Sequence, residues 1–81
     1  MYRILYAPGA LRSLGQLQKE DGARILSALE RLAEAEEPSR MVKRLKGRSA
    51  VPFFSLRVGD YRVVLAFEHK TLVIFVVAID H

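Results

Sequence analysis

The sequence predicts a two-layer α+β domain: an N-terminal strand, a helical hairpin, then a three-strand antiparallel meander, with both helices on one sheet face. Three patterns carry that expectation. Tyr2, Ile4 and Tyr6 alternate with Arg3 and Leu5, leucines then recur at helical spacing, and from Phe53 onward apolar residues alternate around short turns. At 81 residues and 51% hydrophobic content, the chain is expected to form one domain over residues 1–81, near the lower size limit for a self-sufficient core.

The first strand ends at Ala7-Pro8, and Pro8 suits the first turn of a helix because its missing N–H would be unpaired there anyway. Ala10, Leu11, Leu14 and Leu17 give that helix its stripe, and Asp21-Gly22 reads as the break. A second helix is expected over residues 22–37, with Ile25, Leu26, Leu29, Leu32 and Ala33 inward and Arg24, Glu30, Arg31 and Glu34 solvated. Neither helix clusters Arg, Asn or Gln at its N-terminus. The pair therefore reads as core packing rather than a helix-turn-helix DNA reader.

Gly59-Asp60 reads as a two-residue hairpin turn of the Gly-first type. Counting outward pairs Val58 with Tyr61, Arg57 with Arg62, Leu56 with Val63 and Phe54 with Leu65. Leu56, Val58, Tyr61, Val63 and Leu65 then share an apolar face, while Phe53, Ser55, Arg57, Arg62 and Val64 share the other. Like charges directly opposite are destabilising. The two arginines either splay into solvent, pair with carboxylates, or grip an anion such as phosphate. A second turn at His69-Lys70 pairs Leu65 with Ile74, Val63 with Val76 and Arg62 with Val77, with His69 at the surface. That register places Thr71, Val73, Phe75, Val77, Ile79 and His81 on the arginine face.

The net charge of +4 hides an asymmetry, because between positions 40 and 62 Arg40, Lys43, Arg44, Lys46, Arg48, Arg57 and Arg62 face Asp60 alone. Such a run suits a nucleic-acid backbone or an acidic protein, and otherwise is a solvated loop. Gly47, Pro52 and the lack of a helical stripe argue against a membrane-surface helix, and no apolar run approaches spanning length. The absence of cysteine excludes disulfides, thiolate metal sites and a Cys nucleophile. With only His69 and His81 and no close His/Asp/Glu cluster, a zinc site is not expected. No cofactor is anticipated.

Several of these pieces, in order, resemble the RelE/ParE superfamily of type II toxin-antitoxin toxins, and more closely its RelE-like mRNA interferases. They are Tyr2 to Tyr6 with Ala-Pro and a leucine-striped helix, Arg44-Leu45-Lys46-Gly47, Leu56-Arg57-Val58-Gly59-Asp60-Tyr61-Arg62, and a valine-rich last strand ending at His81. The resemblance implies a cytoplasmic, ribosome-associated endoribonuclease that works without a metal, inhibits translation by cutting mRNA, and is neutralised by a cognate antitoxin. Operator DNA is implied only as a target of the toxin-antitoxin complex. Arg62 matches the family's phosphate-stabilising arginine, with Arg57 beside it and His81 as a further candidate acid or base. Lys43, Arg44, Lys46, Arg48 and Ser55 are the candidate RNA contacts. Two departures matter. Phe53 and Ser55 stand where the family commonly has lysines, which implies weakened cleavage, and the sequence stops at His81, where the family usually continues to an arginine and a tyrosine; a natural end there implies further weakening, and a longer chain implies that part of the catalytic set follows His81. The family also supplies two other readings: a ParE-like inhibitor of DNA gyrase, and a degenerate module that binds antitoxin and represses its own operon.

Overall fold

The computed structural model describes residues 1–47 and 49–81. Strand β1 (Arg3–Tyr6) leads into helix α1 (Pro8–Gln16) and helix α2 (Lys19–Glu34), followed by a 3-10 turn (Pro38–Met41). Strands β2 (Lys43–Arg44), β3 (Phe54–Val58), β4 (Tyr61–Glu68) and β5 (Val73–Asp80) complete the chain. They form one sheet in the order β1-β5-β4-β3-β2, antiparallel except for β1 beside β5. The expected α+β class and helix-covered sheet are present, and the sheet gains a short strand, β2, from the basic linker.

Pro8 occupies the first turn of α1 as expected. The helical break does not fall at Asp21-Gly22; α1 ends at Gln16 with Leu17 as its C-cap, and Asp21 lies in the first turn of α2 with Glu20. Carboxylates there complement the partial positive charge of the helix N-terminus, which outweighs the turn propensity of Asp-Gly. Helix α2 therefore starts and ends three residues earlier than its periodicity suggested. Its buried stripe is Ile25, Ala28, Leu29, Leu32 and Ala33, whereas Leu26 is exposed.

Ile25, Leu29 and Leu32 pack with Val63, Leu65, Ile74 and Val76 in a fully buried core. Removing each such aliphatic chain from water contributes on the order of 1.5–3 kcal/mol. Helix α1 lies on β5, and α2 on β1 and β3. The Tyr2 N–H donates to the Ala33 carbonyl at 2.8 Å, tying the first strand to the end of α2.

The β3–β4 register is as expected, including Arg57 opposite Arg62, and Gly59 supplies the positive φ of 58° that the turn requires. The β4–β5 register is different. Four residues, not two, separate these strands, with Leu72 at φ 56°, and Leu65 pairs with Val76 rather than Ile74. The ladder carries a bulge: Val64 pairs with Ala78 and Leu65 with Val76, leaving Val77 without a partner. One extra residue reverses the facing of the rest of the strand. Ile79 thereby turns into the core, and Asp80, not Val77, stands opposite Arg62. Val73, expected on the open face, is buried in the sheet between Arg3 and Glu68. His69 is exposed in its turn but stacks on Phe67, with centroids 5.4 Å apart, and shares a 2.8 Å hydrogen bond with the Tyr2 hydroxyl.

Candidate functional site: a cationic cleft on the open sheet face

The row Arg57, Arg62, Asp80 crosses β3, β4 and β5 on the face turned away from the helices. Next to it Lys43 on β2 stands opposite Ser55 on β3. The 3-10 turn and linker rise beside this row, so that Arg40, Met41, Val42 and Leu45 wall a cleft of about 690 Å³. Lys43, Ser55, Arg57, Arg62, Asp80 and His81 line the rest.

Its charge is strongly unbalanced. Arg40 is paired with Glu37 at 3.1 Å, but among the described residues no carboxylate lies within 4.0 Å of the charged nitrogens of Lys43, Arg57 or Arg62. Asp80 is the cleft's one side-chain carboxylate. Arg57 and Arg62 are both exposed, so water screens their repulsion and leaves their planar N–H forks available to an anion. No group of three His, Asp or Glu side chains among the described residues could hold a metal ion. No helix among them is long and apolar enough to cross a membrane.

The predicted site residues divide. Arg57, Arg62, Lys43 and Ser55 come together in the cleft, whereas Arg44 and Lys46 line a neighbouring hollow of about 180 Å³ with Val51, Pro52, Phe53 and Val64. Arg48 lies outside the described residues. His81 does not project beside the arginines as the simple alternation required; it borders the cleft, but its ring packs on Tyr61, with centroids 5.0 Å apart. The bulge at Val77 is the cause. Tyr61 in turn donates its hydroxyl to Asp21 at 3.1 Å, and Arg24 donates to the same carboxylate at 2.7 Å. Those two bonds, Arg24 first, hold the Asp21 carboxyl below its usual range. Desolvation, then the bond to Asp21, pushes the Tyr61 phenol up.

Asp80 is a cleft residue that simple alternation misses, although one signal points to it. Strict alternation along Leu72, Ile74, Val76 and Ala78 would carry Asp80 onto the core face, and a lone carboxylate there is costly. A register slip resolves that conflict, because one residue of slip moves a charge to the other face.

The helix-covered five-strand sheet, together with a family-model match and matches to solved toxin structures, places the chain in the RelE/ParE superfamily of toxins. The chain belongs to the ParE toxin family of type II toxin-antitoxin systems, parDE, whose model matches residues 2–81. Among solved structures it is similar to RelE in the archaeal RelE-RelB complex from Pyrococcus horikoshii, at 26% identity and a TM-score of 0.79, covering 98% of this chain and 92% of that one. A chain of the toxin-antitoxin complex RelBE2 from Mycobacterium tuberculosis is 29% identical with a TM-score of 0.71, covering 99% and 96%. The isolated RelE toxin of E. coli shares the fold at 20% identity and a TM-score of 0.75, covering 99% and 83%. No curated protein matches.

Proposed function

We propose that this toxin cleaves mRNA on the ribosome and that a cognate antitoxin silences it by covering the open sheet face. The observation that carries this reading is the pair Arg57 and Arg62, set directly opposite each other in a cleft where neither has an ion-pair partner among the described residues. Guanidinium groups held on a rigid sheet suit the charge that builds on phosphorus when a ribose 2′-hydroxyl attacks the adjacent phosphate. The products are a 2′,3′-cyclic phosphate and a free 5′-hydroxyl. Ribosomal alignment of the message supplies the positioning that an open cleft does not. The site thus lies in the compartment where translation occurs.

The antitoxin reading draws on the relatives crystallised as RelE-RelB and RelBE2 complexes. On the same sheet face Leu5 and Phe75, partners across β1 and β5, are exposed farther along the sheet from the arginines. An apolar anchor flanked by acidic residues would cover both halves.

Primer extension on a translated message tests the reading. Arg62→Ala should lower cleavage by about 100-fold, the scale seen when one charge-stabilising donor is removed. The melting temperature should move by only a few degrees, about what an exposed substitution costs. Absent cleavage by the wild-type chain, together with inhibited gyrase supercoiling, would replace this reading with the gyrase one.

A further inference from the structure

We infer that Asp21 is a positioning residue for the Arg57–Arg62 pair, an assignment that rests on the ribonuclease reading. With Arg24 and Tyr61 it fastens the tip of the β3–β4 hairpin to α2 from the helix side of the sheet. The two guanidinium groups on the open side are thereby held at the spacing that lets them grip one phosphate together.

Such a pair needs holding. Arg57 and Arg62 are direct cross-strand partners, a placement in which like charges push the strands apart. Only the row Val58–Tyr61 and the Gly59-Asp60 turn lie beyond them, so the repulsion acts at the free end of the ladder, where local opening is easiest. Neither arginine has an ion-pair partner among the described residues to offset it.

The restraint comes from the other side of the sheet. Successive side chains alternate in facing, so Tyr61, next to Arg62, packs toward the helices and donates its hydroxyl to Asp21 in the first turn of α2 at 3.1 Å. Arg24 donates to the same carboxylate at 2.7 Å. Its guanidinium also covers the turn: a Cβ placed at Gly59 would lie 3.8 Å from Cζ and from both terminal nitrogens of Arg24. Val58, at the end of β3, lines a hollow with Arg24 as well. Asp21 thus ties down the strand that carries Arg62 directly, and it orients the side chain that lies on the turn and beside the end of the strand that carries Arg57. Arg24 is well exposed, so the contact adds little to global stability. Its effect is local, and a misplacement of about 1 Å in groups that act on the reacting atoms can cost about 100-fold in rate.

The test joins amide hydrogen exchange on the free protein to mRNA cleavage on translating ribosomes. In Asp21→Ala the amides of Val58 and Tyr61 should exchange about tenfold faster, while those of Leu65 and Val76 in the core stay within about threefold of wild type. The same variant should lower kcat about tenfold and leave KM within about twofold, the pattern of a lost transition-state interaction. Tyr61→Phe removes one of the two bonds and keeps the ring, so it should show a smaller loss in the same direction and serves if Asp21→Ala melts below the assay temperature. Added to Arg62→Ala, Asp21→Ala should cost no more than about a further twofold, because the repulsion that it opposes is already gone. Unchanged exchange at Val58 and Tyr61 would overturn the restraint whatever the chain's activity. Faster exchange with unchanged kcat, or losses that multiply in the double variant, would overturn the positioning role while wild-type cleavage keeps the ribonuclease reading. A wild type that cuts no message would overturn that reading and the positioning role with it.

Discussion

The two hairpins of the meander differ in how they are specified. The β3–β4 hairpin turns through Gly59-Asp60 with a regular ladder, and local sequence dictates it completely. The β4–β5 hairpin uses a four-residue loop with a leucine at positive φ and an unpaired Val77 in its ladder. It is the irregular hairpin that brings Asp80 beside Arg62 and turns His81 away. A glycine turn fixes register from within, whereas a bulge is fixed by what the flanking residues gain elsewhere, here the burial of Ile79.

Breaking that gain should give the largest effect. Ile79→Ala is expected to cost about 2–5 kcal/mol by urea unfolding, because Ile79 is buried at the core edge. Val77→Ala, at the exposed bulge position, should stay within about 1 kcal/mol. A regular ladder would leave both residues on the open face, so equal effects would count against the bulge.

The turns offer the next contrast. Gly59→Ala places a Cβ on a left-handed residue and should destabilise by about 1–2 kcal/mol. Leu72→Gly should do the opposite, with a gain of up to about 1 kcal/mol, since Leu72 already bears that strain at an exposed position. A loss in Leu72→Gly would mean that the leucine side chain's remaining contacts outweigh its backbone strain.

Legibility in the sequence divides along the same line. The helix-covered sheet, the Arg57–Arg62 pair and the apolar face from Leu56 to Leu65 rest on periodicity and one glycine turn, both local signals. Strand β2 was not legible, because Lys43 and Arg44 pair with Ser55 and Phe54 across a loop, and two residues carry no alternation. Asp80 was hidden for a related reason: its facing depends on the bulge at Val77, which the turn that sets the first register does not control. The start of α2 was misplaced because Asp-Gly is a turn signal locally, yet Asp21 is held by Arg24 and by Tyr61 from β4.

That last contact joins the regular hairpin to the helices, and its pH dependence gives the smallest expected effect. Asp21 has a folded-state pKa below its unfolded value, chiefly through the hydrogen bond from Arg24 and then that from Tyr61. The unfolded chain therefore binds this proton more readily. The stabilisation is fully present above the unfolded carboxylate pKa and is lost as pH falls through the lower, folded one. Tyr61 runs the other way: its phenol pKa is raised by desolvation and by Asp21, so its contribution holds below the unfolded tyrosine value and is lost as pH rises through the folded one. Asp21→Asn should flatten the acid limb of a melting-temperature profile and Tyr61→Phe the alkaline limb, with neither altering the plateau by more than a few degrees, roughly the scale of an exposed polar contact. An acid limb unchanged in Asp21→Asn would mean that the carboxylate is not held by this contact, and that the β3–β4 hairpin meets the helices through its apolar face alone.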